Sequence, residues 1–222
     1  MRSKFLCFVC LLWLTPSLSA QANLEQILSK MDEVSKTFHS VETNLERTKM
    51  TLLVNDKDVA SGKLYYMRSG KEPRLKVEID KPGQQIVLID KGKLQIFSPK
   101  IKQVQEATLG NHANAVEQFM ALGFGQSSQD LKKNYQVSLG GEEVLDGKKT
   151  AMLDLTPKTP GGIIKAVRIW IDEKQGVSVQ VKAIEPSGDY TIFRYSSVKL
   201  NAALPDSIFE LKLPKDVHVS KL

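Results

Sequence analysis

The chain has 222 residues, 41% of them hydrophobic, with 31 Lys and Arg against 25 Asp and Glu and a formal charge of +6. A chain of this length can bury a core as one domain. Its lysines are scattered among apolar residues and form no long basic run, which gives little support to nucleic-acid binding.

Arg2 and Lys4 precede an apolar run from Phe5 to Leu14, followed by Thr15-Pro16-Ser17-Leu18-Ser19-Ala20-Gln21-Ala22. A basic start, a short apolar run and small residues describe a secretory signal peptide. The run falls well short of the roughly 20 residues that span a bilayer. Residues 1–22 are therefore read as a removable signal, cut after Ala20 or Ala22, and residues 23–222 as a single domain. Both cysteines, Cys7 and Cys10, lie in the removable part. The remaining chain has no disulfide framework and no cysteine for lipid attachment.

Leu24, Ile27, Leu28, Met31, Val34 and Phe38 recur at helical spacing, which predicts a helix over about 23–39 with Asn23 as N-cap. The period then drops to two. Strands are predicted at 41–54, 59–69, 74–80, 84–90, 93–98 and 101–106, broken by Asn55-Asp56, Ser69-Gly70, Lys81-Pro82-Gly83, Lys91-Gly92 and Pro99. Connections this short cannot make parallel crossovers, so the sheet must be mainly antiparallel.

A helical insert follows. Phe119, Met120, Leu122 and Phe124 crowd a segment flanked by Gly110, Gly123 and Gly125, which reads either as an apolar flap or as a packed helix with glycine caps. A further turn of helix is expected at 126–133. Strands resume at 135–139, 142–146, 149–156, 164–172, 177–185, 189–199 and 208–213. The order predicts an α+β chain, mainly antiparallel β, with helices gathered on one face of a large sheet.

The hairpin through Lys91-Gly92 sets the orientation. It brings Val87 opposite Ile96 and Ile89 opposite Leu94, a wholly apolar face, while Ile86, Leu88, Asp90, Lys93, Gln95 and Phe97 make a mixed one. A sheet of so many strands curls under its own twist. Two helices are too little to fill such a concavity densely, and a hollow is a natural though not a necessary consequence. Val87, Ile89, Leu94 and Ile96, with Phe119 and Met120 from the insert, are the candidate lining. Alternation in Gly62-Lys63-Leu64-Tyr65-Tyr66-Met67-Arg68 puts Leu64, Tyr66 and Arg68 on one face. Arg68 is then either a guanidinium at the hollow's rim, needing carbonyl partners from a helix end or loop, or a surface residue at a strand end.

Chemistry is hard to find. His39, His112 and His218 stand far apart and in no metal-ligand spacing. The chain has no Gly-x-Ser-x-Gly, no His-Glu-x-x-His and no phosphate-cradling glycine loop. The sequence offers no catalytic residue, no metal site and no cofactor, and the chain is not expected to be an enzyme.

The ordered features resemble the outer-membrane lipoprotein carrier (LolA) family. The matching segments are "GKLYYMR", then "IVLIDKGKLQIFSPKIKQVQ", then "LDLTPK" before "IIKAVRIWID", and finally "YTIFRYSSVKLNAALPDSIFELKLPKDVHV". The resemblance implies an incomplete, open β-barrel of about 11 strands with helices covering its concave face. It implies a soluble periplasmic monomer of a Gram-negative bacterium. Such a protein takes lipoprotein acyl chains from an inner-membrane release complex and hands them to an outer-membrane acceptor. It adds Leu64, Tyr66, Val167 and Ile169 to the cavity and gives Arg68 the lid-closing role. Where the family often has Arg-Pro, this chain has Arg68-Ser69. The alternative is a periplasmic protein of related fold that binds another lipid or senses lipoproteins without shuttling them.

Overall fold

The computed structural model describes residues 18–68, 73–110, 122, 124–159 and 161–222. The described residues form one 12-stranded sheet and two α-helices. Helix α1 spans Leu18–Thr37. Strands β1 (Ser40–Thr51), β2 (Asp56–Met67), β3 (Arg74–Lys81), β4 (Gln85–Asp90), β5 (Lys93–Ser98) and β6 (Gln103–Thr108) follow as a meander. Helix α2 (Ser128–Asn134) leads into β7 (Tyr135–Leu145), β8 (Lys148–Pro157), β9 (Ala166–Asp172), β10 (Ser178–Ile184) and β11 (Tyr190–Leu200), and β12 (His218–Lys221) ends the chain.

The spatial order is β12-β6-β5-β4-β3-β2-β1-β11-β10-β9-β8-β7. The two meanders join where β11 pairs antiparallel with β1. Every pair is antiparallel except β12 with β6, and the sheet stays open, with β12 and β7 at its edges.

Helix α1 lies on the concave face. Its Leu24, Ile27, Leu28 and Met31 share one buried core with Val41, Leu45, Leu64, Leu75, Leu153 and Ile169 of the sheet. Each such side chain contributes roughly 1.5–3 kcal/mol when fully buried, and that stripe is what binds helix to sheet. Asn23 lies inside the helix, where its side chain donates to Glu142 Oε1 at 2.7 Å, and so it is not the cap.

The hairpin β4–β5 pairs Val87 with Ile96 and Ile89 with Leu94, through a turn whose Lys91 and Gly92 both take positive φ. The expected strands 135–139 and 142–146 are one strand, β7, bulged between Leu139 and Gly141. The expected strand at 208–213 is absent. Asp206–Phe209 is a 3-10 turn instead, with Phe209 buried and the Arg74 guanidinium 4.5 Å from its ring centre. Arg74 is held in turn by Asp90 at 2.8 Å and Asp206 at 2.5 Å. The chain then crosses from β3 to the far side of β6, where β12 pairs. Leu88, Phe97 and Val104, on the face opposite the main core, are buried there.

The turns fall at two ends of the sheet. One rim carries β1–β2, β3–β4, β5–β6, β8–β9 and β10–β11, and is called here the Leu53 rim. The other carries β4–β5, β7–β8 and β9–β10, with Arg68 just beyond β2, and is called the Arg68 rim.

Candidate functional site: an apolar hollow latched at one end

A hollow of about 640 Å³ occupies the concave side of β1–β4 and β10–β11, within the roughly 300–1,000 Å³ usual for ligand sites. Strand alternation builds its walls. Leu45, Leu64, Val77 and Val87 stand in neighbouring strands, and Val181, Phe193 and Tyr195 close the opposite side. Leu75 and Ile89 finish the inner end. The polar wall residues gather at the Leu53 rim: Arg47 paired with Asp58, Gln84, Gln85, Ser98 and Lys100. Gly83, Gln84, Gln85 and Lys100 are exposed, so the hollow opens there. Burial pushes the Tyr195 phenol well above its usual value, which keeps that wall neutral.

The Arg68 rim is closed. The Arg68 guanidinium donates to the carbonyls of Ser35 at 3.4 Å and Phe38 at 3.5 Å, at the end of α1, and to the carbonyl of Gly125. It lies 5.5 Å from the centre of the Phe38 ring, which stacks on Tyr66. Gly125 has φ +68°, and a Cβ there would stand 2.1 Å from the Phe38 ring. Only glycine lets the 124–125 backbone approach that closely. Its neighbour Phe124 is buried edge-on to Tyr195, ring centres 4.7 Å apart. Asp32 of α1 accepts from both the backbone N–H and the hydroxyl of Ser128, at 2.6 and 2.7 Å, and so fixes where α2 begins.

Of the residues expected from sequence, Leu64, Val87 and Ile89 line this hollow. Tyr66, Val167 and Ile169 lie in the core beside it and Leu94 packs against that core, while Ile96 is half-buried opposite Val87. Phe119 and Met120 lie outside the described residues. Sequence reasoning missed Leu45, Val77, Val181, Phe193 and Tyr195, although each continues an alternating face. It also missed the charged mouth at Arg47 and Asp58. Among the described residues no group of three or more His, Cys, Asp or Glu could hold a metal, and no helix is long and apolar enough to cross a membrane.

A single curved sheet, open at its edges and holding an apolar hollow against a helix, defines a class of proteins built around a cavity. The chain belongs to one family of that class: the model for the outer membrane lipoprotein carrier protein LolA matches residues 36–212. It is 25% identical over 201 residues to the outer-membrane lipoprotein carrier protein of Chromobacterium violaceum, covering 90% of this chain and 87% of that one. It is 23% identical over 209 residues to the protein of the same description from Pseudomonas putida strain W619, covering 94% and 92%. Its fold is similar to that of an uncharacterized conserved protein from Thermus thermophilus, with a TM-score of 0.54 at 12% identity, covering 92% of this chain and 99% of that one.

Proposed function

We propose that this protein is a periplasmic carrier that shelters the acyl chains of lipoproteins and moves them from the inner to the outer membrane. In this reading residues 1–22 direct export and are removed, and the rest works as a monomer. An inner-membrane release complex loads it, and an outer-membrane acceptor unloads it.

The observation that carries the proposal is the hollow itself. It is apolar at its inner end, charged at its mouth, and closed at the Arg68 rim by hydrogen bonds to backbone carbonyls. Burying acyl chains gains about 0.8 kcal/mol per methylene. Several long chains would therefore approach the practical ceiling of non-covalent affinity, about −20 kcal/mol, and would not leave. A carrier needs part of that gain offset. Breaking the Arg68 bonds and withdrawing Phe124 from Tyr195 on loading would supply such an offset. No covalent chemistry is required.

The test is a handover assay. Lipoprotein labelled in its acyl chains is released from inner-membrane vesicles in the presence of the protein, and the soluble complex is then offered outer-membrane vesicles. The proposal expects a soluble one-to-one complex whose label moves to the second membrane. Label that stays in the first membrane would overturn it.

A further inference from the structure

The β1–β2 hairpin ends in Leu52, Leu53 and Val54, all three exposed, and Leu53 is 94% exposed. Leu52 is half covered, beside Gly188, and Val54 is 67% exposed, while Leu53 is almost wholly in solvent. Their position is nonetheless built. The Leu52 N–H donates to the Asp189 carboxylate at 2.8 Å, and Asn55, in the left-handed region, donates its N–H back to the Leu52 carbonyl at 3.2 Å. The turn is thus fastened to the β10–β11 connection with Leu53 turned outward.

The rest of that rim repeats the pattern. Ile101, in the β5–β6 turn, lines the mouth of the hollow and is 61% exposed. Ile163, in the β8–β9 connection, is 86% exposed. Between these tips stand exposed Lys49, Lys57, Lys81 and Lys100. Lys165, close to Ile163, is exposed as well. Of the nearby acids, Asp58 is paired with Arg47, Asp189 accepts the Leu52 N–H and keeps its charge, Asp56 and Asp80 are exposed, and Glu185 is half-buried. Outward apolar tips among exposed lysines that slightly outnumber the unpaired acids match the chemistry of an interfacial contact: apolar side chains enter the acyl boundary while lysines meet anionic headgroups.

We propose that the Leu53 rim docks reversibly on an anionic lipid bilayer, with Leu52, Leu53 and Val54 entering the interface and the mouth of the hollow facing the membrane. The docking goes beyond the carrier reading and rests on it only for what crosses the contact. A protein so docked presents its hollow to an acyl chain without exposing that chain to water.

The test uses protein recovered from the periplasm of an expressing Gram-negative host, its N-terminus read by mass spectrometry. Co-sedimentation at low salt is measured with vesicles of phosphatidylglycerol and phosphatidylcholine, and with vesicles of phosphatidylcholine alone. Wild type should bind the anionic vesicles in preference to the neutral ones. Leu53→Asp should weaken that binding by roughly tenfold or more, the equivalent of losing one buried leucine. The control Val144→Asp alters an exposed residue of β7 near the Arg68 rim, 67% exposed, and should bind like wild type. Uptake of a fluorescent fatty acid, measured on all three, should be equal. Wild type that ignores anionic vesicles, a Leu53→Asp variant that binds them unchanged, or a Val144→Asp variant weakened equally would overturn the docking. Normal vesicle binding without fatty-acid uptake would leave the docking standing and count against the carrier reading alone.

Discussion

Arg68 and Gly125, far apart in sequence, are joined by a hydrogen bond from the guanidinium to the glycine carbonyl, and the same guanidinium reaches the carbonyls that end α1. One side chain thus ties the helix to the loop that carries Phe124 against the cavity wall. Arg68→Leu removes these bonds. Hydrogen bonds to a charged group contribute about 1.5–3 kcal/mol each, and the exposed position of this residue places it at the low end. The variant should load lipoprotein at least as well as wild type and release it roughly tenfold more slowly. Arg68→Lys should fall between, because it keeps the charge and loses the planar fork. Release to outer-membrane vesicles from preloaded protein is the measurement.

Gly125→Ala probes the other half of the same contact. The backbone there is left-handed and the new methyl group meets the Phe38 ring. The strain alone is about 1–2 kcal/mol, and the clash adds to it. Thermal unfolding should move down by several degrees, about 2–4 °C per kcal/mol for a chain of this size, and calorimetry reads it directly.

Val87 lines the hollow and is only half-buried. Val87→Glu should leave the fold intact, because the carboxylate can turn toward the mouth. Uptake of a fluorescent acylated peptide should fall by roughly tenfold or more, since an acyl chain would have to desolvate the charge. Circular dichroism and a titration on the same sample separate folding from binding.

Phe209 tests the other face. It is buried beside Arg74, on the side of the sheet away from the hollow. Phe209→Ala should destabilise by about 3–5 kcal/mol and leave acyl-peptide affinity unchanged below the unfolding transition. Urea unfolding measures the first and fluorescence titration the second.

Tyr195 gives a pH dependence. Its folded pKa is raised above the ordinary 10.0 by burial, so its neutral form is favoured in the fold. Its contribution is fully present below pH 10, where folded and unfolded chains are both protonated. Above that, the unfolded phenol ionises first and stability falls as pH rises. Tyr195→Phe should flatten part of that alkaline slope in urea unfolding between about pH 9 and 11.

The sequence made some of this legible and hid the rest for physical reasons. The helical stripe Leu24, Ile27, Leu28, Met31 and the period-two run through Val87 and Ile89 are local patterns, and the chain folds along both. The Phe209-x-Leu211-x-Leu213 alternation also looks like a strand. It is none, because Pro205 and Pro214 bracket it and Phe209 turns into a pocket beside Arg74. The short strand His218–Lys221 has little apolar alternation, and its parallel pairing with β6 is a long-range event no local window contains. The hollow was half visible. Alternation tells which face Leu64, Tyr66, Val167 and Ile169 share, but not how far α1 extends over that face. Tyr66, Val167 and Ile169 are enclosed in the core, while Leu64 belongs to that core and also lines the open hollow. The partner of Arg68 was foreseeable only as a kind of group, a backbone carbonyl. That the carbonyl belongs to Gly125 depends on the fold.

The most direct test of the carrier account is photo-crosslinking with a lipoprotein whose acyl chain carries a diazirine near its end. After loading and irradiation, the modified residues are mapped by mass spectrometry. The account predicts labels on the inner wall, at Leu64, Leu75, Val77, Val87 or Ile89, with none on the opposite face around Leu88, Phe97 and Phe209. Labels confined to that opposite face, or an unlabelled protein under conditions where lipoprotein co-purifies with it, would contradict the account.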